Sequence, residues 1–68
     1  MERVDARGLS CPEPVILTRK AIQKGGNELE VLVDNVTSKE NVTRCAEHAG
    51  YSVSVAEKDG EYTLSLKK

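Results

Sequence analysis

One residue of this chain is a ready nucleophile set against a stiff backbone: Cys11, followed at once by Pro12, Glu13 and Pro14. The helix-compatible run Val15-Ile16-Leu17-Thr18-Arg19-Lys20-Ala21-Ile22 comes directly behind. Proline is accepted in the first turn of a helix, because the amides it removes would have no intrahelical partner there. The spacing therefore predicts a helix start with Cys11 at or beside the N-cap. A thiol there faces the positive end of the helix dipole, which favours the thiolate, the form that attacks and carries groups. Glu13 works against it: its charge suits a helix start but opposes a nearby thiolate, so only a moderate lowering of the thiol pKa is expected. Arg7 offsets Glu13 if the loop folds back. Pro12 and Pro14 donate no hydrogen bonds, which leaves the amides of Glu13 and Val15 to serve the sulfur. Their fixed φ angles should also hold it in one direction.

The remaining chemistry-bearing side chains read differently. Cys45 sits in the middle of an apolar stripe and is expected to be a buried, inert, small hydrophobe. His48 is placed opposite that stripe, as a solvated surface residue. Arg19, Lys20 and Lys24 make a modest basic face close to Cys11, and Ile16 falls on the same otherwise polar side. Ile16, Arg19 and Lys20 are thus candidates for a partner-docking patch. Asp5 and Arg7, just before the motif, are expected to form an ion pair that orders the loop or to contact a partner.

Size limits what surrounds these groups. The chain has 68 residues and a net charge of −1. A domain of this length buries only ~60% of the surface its unfolded chain exposes, leaving little room for a core and an enclosed substrate cavity together. Surface chemistry with a partner is expected instead. The slightly acidic balance disfavours direct nucleic-acid binding. No apolar run approaches the roughly 20 residues of a membrane span, and Met1-Glu2-Arg3-Val4-Asp5 lacks the apolar middle of a signal peptide. A cytoplasmic location with free thiols is the expectation. With two cysteines, one histidine and no CxxC pair, no metal or other cofactor is expected.

The elements that must position Cys11 follow from periodicity. Val4 to Ala6 is a short strand candidate ended by Gly8. The first helix stops at Gly25-Gly26, with Lys24 in its last turn. Its inward face collects Pro14, Val15, Leu17, Thr18, Ala21 and Ile22. Leu29, Val31 and Val33 alternate with Glu28, Glu30 and Leu32 as a second strand, ended by Asp34-Asn35. Thr37 with Glu40 has the form of a capping box for a second helix, whose stripe is Val42, Cys45, Ala46 and Ala49, closed by Gly50. Tyr51, Val53 and Val55, then Tyr62, Leu64 and Leu66, alternate with polar residues in two last strands joined by the hairpin signal Asp59-Gly60. The order βαβαββ with one wet sheet face predicts an α+β fold: a two-layer α/β sandwich, a four-stranded mixed sheet with two helices on one face. Residues 1–68 form a single domain on this reading.

Asp5-Ala6-Arg7-Gly8-Leu9-Ser10-Cys11-Pro12-Glu13-Pro14 resembles the signature of the TusA (SirA-like) sulfur-carrier family, with its Gly-Leu-x-Cys-Pro-x-Pro core. The resemblance continues through Gly50 and the closing strands. From Val33-Asp34-Asn35 through Lys39-Glu40-Asn41-Val42 it looks closer to the N-terminal domain of YedF-type members. It implies the fold just derived and a role in sulfur relay: a sulfane sulfur is accepted as a persulfide on the motif cysteine, here Cys11, and passed to an acceptor protein. Gly8, Leu9, Pro12, Glu13 and Pro14 would be the supporting motif residues. Implied partners are a cysteine desulfurase or rhodanese-like donor and a DsrE/TusD-like acceptor, and the chain would be a sulfurtransferase-type carrier rather than a stand-alone catalyst. YedF-type members are associated with selenium metabolism and usually carry a second, DsrE-like domain, so a selenium-handling module using the same cysteine is one rival. A small RNA-binding or regulatory module is another, and it alone predicts that Cys11→Ser leaves function intact.

Overall fold

The structure, a computed structural model, describes residues 2–9 and 13–68; Met1, Ser10, Cys11 and Pro12 lie outside the described residues. The elements run β1 (Glu2–Asp5), α1 (Glu13–Gln23), β2 (Glu28–Val33), α2 (Val36–His48), β3 (Ser52–Lys58) and β4 (Glu61–Lys67). The sheet has the order β1-β2-β4-β3. β1 pairs parallel with β2, and β4 pairs antiparallel with both β2 and β3. The sheet is therefore mixed, as expected, and β4 is inserted between the two strands that α2 connects.

Alternation dictates which face is buried. Leu29, Val31 and Val33 of β2 and Leu64 and Leu66 of β4 are fully buried, and they meet Ala21 of α1 and Val42 and Ala46 of α2. Glu30, Leu32, Thr63 and Ser65 point the other way and stay half-exposed, so both helices cover one face and the other is wet. At the edge, Val55 departs from the expected pattern. It is 45% exposed, because β3 is an outer strand and only Tyr51 and, in part, Val53 reach the core. Between β3 and β4 the turn residues have φ 53° at Asp59 and 79° at Gly60. Two successive left-handed residues make the type I′ hairpin that Asp-Gly suits.

The helix ends show one agreement and one correction. After α2, Gly50 adopts φ 91°. Its amide donates to Glu47 O at 3.0 Å while the Tyr51 amide donates to Ala46 O at 3.0 Å, a Schellman motif. At the start of α2, Thr37 is not the cap. Asn35 is extended (φ −152°, ψ 158°), and its Oδ1 accepts from the Ser38 amide at 2.7 Å. The helix thus begins two residues earlier than the capping-box pattern places it. Ser38, in the third helical position, is buried. Asn35→Ala should lower stability by about 1 kcal/mol, read as a shift in urea midpoint with unchanged slope. Thr37→Ala should move the midpoint much less.

Candidate functional site

The segment that leads to Cys11 is tied down at three points. The Ala6 amide donates to Leu32 O at 2.8 Å, which carries the β1–β2 ladder one residue further. Arg7 then folds over Asp5: its Nε and NH2 groups reach the two carboxylate oxygens at 2.9 Å each, and its own amide donates to Asp5 Oδ1 at 3.2 Å. A third arm of the guanidinium reaches Glu61 at the start of β4, at 3.3 Å. Gly8 follows with φ 77°, a left-handed conformation that costs a residue bearing a Cβ about 1–2 kcal/mol. Its amide donates to Asp34 Oδ2 at 2.8 Å. Leu9 comes next and packs, half-buried, against the core. The ion-pair expectation for Asp5 and Arg7 is met, and the turn it makes brings Gly8 against the end of β2.

Asp34 joins two parts of the site that are distant in sequence. Its Oδ2 holds the Gly8 amide, while Oδ1 accepts from Asn35 Nδ2 at 3.2 Å. Fixing that amide leaves Asn35 Oδ1 facing Ser38, so one carboxylate steadies both the loop before the motif and the cap of α2.

The Arg7 guanidinium has a measurable consequence for Asp5. Hydrogen bonds from Arg7 hold the Asp5 carboxyl at about 2, below its ordinary 3.8. The folded value lies below the unfolded one, so the contribution of the pair is complete above pH 3.8 and fades as pH falls towards about 2. Both groups are exposed, so solvent screening keeps the effect local. An NMR titration of the Asp5 carboxyl should give a midpoint near 2, returning towards 3.8 in Arg7→Ala.

Beyond Cys11 the chain becomes helical at Glu13, an exposed acidic residue in the first turn. Pro14 is buried beneath it, and its carbonyl accepts from the Thr18 hydroxyl at 2.8 Å. That bond satisfies the polar atom of a fully buried threonine. The start of α1 is in this way buried at Pro14, with the Thr18 bond lying inside the helix. Cys11 and Pro12, the expected nucleophile and its neighbour, lie outside the described residues. The two ends that hold them are the tied loop at Gly8–Leu9 and the first turn of α1.

On the outer side of α1, Ile16 is 44% exposed, and Arg19 and Lys20 are exposed as well. Arg19 differs from the other two in helping to line an open groove between α1 and α2 of about 600 Å³. The same groove corrects two expectations. Cys45 is half-buried, not buried, and lines it. His48 is exposed as expected, yet it lies beside Cys45 on the groove and not opposite the stripe. The cause is angular: residues three apart sit about 60° from one another round a helix, so His48 adjoins the stripe's edge. Among the described residues, no helix is long and apolar enough to cross a membrane.

Comparison with known proteins agrees with this architecture. A SirA-like protein of known crystal structure from Desulfitobacterium hafniense superposes with a TM-score of 0.90 at 38% identity, over 98% of this chain and 96% of that one. A relative from Methanocaldococcus jannaschii, named "Putative sulfur carrier protein", is 39% identical over all of this chain and 95% of its own. Proteins given the same designation in Thermotoga maritima and Archaeoglobus fulgidus are 37% and 33% identical. The family model described as Sulfurtransferase TusA matches residues 2–68. With that match spanning both helices, all four strands and the Gly8–Pro14 motif, the chain belongs to the TusA family.

Proposed function

We propose that this protein is a sulfur carrier that accepts a sulfane sulfur on Cys11 as a persulfide and hands it to an acceptor protein. Family membership and the sulfur-carrier names of its relatives support the carrier role. The observation that carries the assignment to this end of the molecule is the anchoring of the chain on both sides of Cys11. The Gly8 amide is held by Asp34 on one side, and Pro14 is buried with its carbonyl bonded to Thr18 on the other.

The step is a thiolate attack on the donor's outer sulfur. A bond forms between Cys11 Sγ and that sulfur, and the donor's S–S bond breaks. The donor cysteine leaves as a thiolate, and the transferred sulfur keeps its charge or proton. Delivery repeats the exchange with Cys11 as the leaving thiolate, so no external oxidant or reductant enters. Glu13 and the dipole of α1 set the charge around the motif, while Ile16, Arg19 and Lys20 offer donors and acceptors an exposed surface on the same helix. A cysteine desulfurase or rhodanese-like protein is the donor class that fits, a DsrE-like protein the acceptor class, and the reducing cytoplasm the setting. Incubation with a cysteine desulfurase and cysteine should add one sulfur to the intact mass, removable by dithiothreitol. Absence of that gain with several donors would refute the carrier assignment.

A further inference from the structure

The groove between α1 and α2 has a composition unlike the rest of the surface. Its half-buried members are Val15 and Ile22 from α1, Asn41 and Cys45 from α2 and Ala49 at the C-cap of α2, a floor that is apolar except at Asn41. Its exposed members are Arg19, Arg44 and His48. Among the described residues no carboxylate lines it, although the whole chain carries a net charge of −1. The acidic residues of α2, Glu40 and Glu47, line a separate recess beside β3 with Lys39, Thr43 and Val55, and Arg44 borders both recesses. The carboxylates of α2 thus lie on the sheet-edge side, and Arg44 stands between them and the groove. An apolar strip flanked by guanidinium groups and free of carboxylates matches the make-up of interface centres, where arginine is enriched and acidic residues are depleted.

We propose that this groove seats an acidic amphipathic segment of a protein partner, its apolar side chains on Val15, Ile22 and Ala49 and its carboxylates on Arg19 and Arg44. Charge complementarity selects an anion, and the apolar floor selects a peptide over a nucleic acid. No aromatic side chain lines the groove to stack a base, and a phosphate backbone has nothing to place on valine and isoleucine. Arg19 is shared with the exposed face of α1 that follows Cys11, so a partner held here is held on the helix that carries the motif. The role as relay partner rests on the sulfur-carrier reading, whereas the seat itself stands on the groove.

Cys45 gives the test a built-in reporter, since a seated segment covers its thiol. In a Cys11→Ser background it is the single cysteine. The probes are a fluorescein-labelled peptide of alternating leucine and glutamate pairs, its glutamine counterpart, and a single-stranded oligonucleotide. The acidic peptide should bind, slow Cys45 alkylation, and shift the amides of Val15, Ile22, Arg44 and Ala49 in the NMR spectrum. The glutamine peptide should do none of these. Arg44→Glu should weaken binding about tenfold, the scale of one interfacial charge pair, while Lys58→Glu, the same charge change on the β3–β4 hairpin, should not. Equal loss in both variants, shifts that map away from the groove, or protection of Cys45 by the oligonucleotide alone would overturn the proposal. Because Cys11 is absent, this result is independent of sulfur loading. Peptide binding without persulfide formation on wild type would sink the relay alone, and the reverse would sink the groove alone.

Discussion

Replacing Cys11 with serine will abolish sulfur loading and leave the fold unchanged. Wild type and Cys45→Ser should both gain one reducible sulfur from a desulfurase, and Cys11→Ser should show none. The loss should be complete, because serine's hydroxyl neither ionises near neutral pH nor forms a persulfide. The fold should hold, because the residues that anchor this segment are its neighbours: Gly8 on Asp34, Leu9 on the core, and Pro14 with Thr18. Cys45→Ser is the informative control. Cys45 is a half-buried thiol in an open groove, so a carrier role for it would appear as residual loading in Cys11→Ser. Loading confined to Cys45 would transfer the chemistry to the groove and refute the motif assignment.

Leu64→Ala should unfold much of the population at room temperature or bring it close to that point. Leu64 is fully buried in β4, one of the two inner strands, opposite Val31 of β2 and Val55 of β3. Removing a buried leucine side chain costs about 2–5 kcal/mol, rising with the cavity left behind. A chain of this length holds roughly 3–10 kcal/mol in total, so one substitution can remove half of it. The comparison is Leu32→Ala on the wet face, paired with Thr63 and half-exposed, for which about 1 kcal/mol or less is expected. Urea midpoints of the two variants measure the difference. Similar values would mean that the helices do not seal the face they cover.

The parts of this fold that were legible in the sequence are those set by repeating local patterns. Leu29-Val31-Val33 and Leu64-Leu66 announce the buried face by period two, and Asp59-Gly60 announces the hairpin because its neighbours need two left-handed residues. Where two local signals compete, the pattern has no means of choosing. Asn35 and Thr37 are both good caps, and Asn35 prevails because Asp34 orients its amide, a contact that depends on where β2 ends. The site shows the same division. The Cys11 motif and the Asp5–Arg7 pair are short-range and readable. Gly8 to Asp34 spans 26 residues and Arg7 to Glu61 spans 54, so their pairing appears only when the sheet assembles. The groove depends on how α1 lies beside α2. Arg19 and Arg44 are ordinary surface residues on their own helices and become neighbours of one apolar strip only through that packing.

The placement of β4 also bears on how the molecule is made. The last element in chain order is the one that both β2 and β3 pair with, so before it arrives β3 has no partner and β2 has only β1. During translation the ribosome releases the termini in sequence, and a domain whose interior strand is synthesised first can close early. Here the sheet cannot close until Lys67 has emerged, and the nascent chain carries exposed valine-rich strands until that moment. Closure of this sheet is therefore a single event that waits for β4. A premature stop anywhere before the Asp59-Gly60 turn yields a polypeptide for quality control and not a weakened carrier.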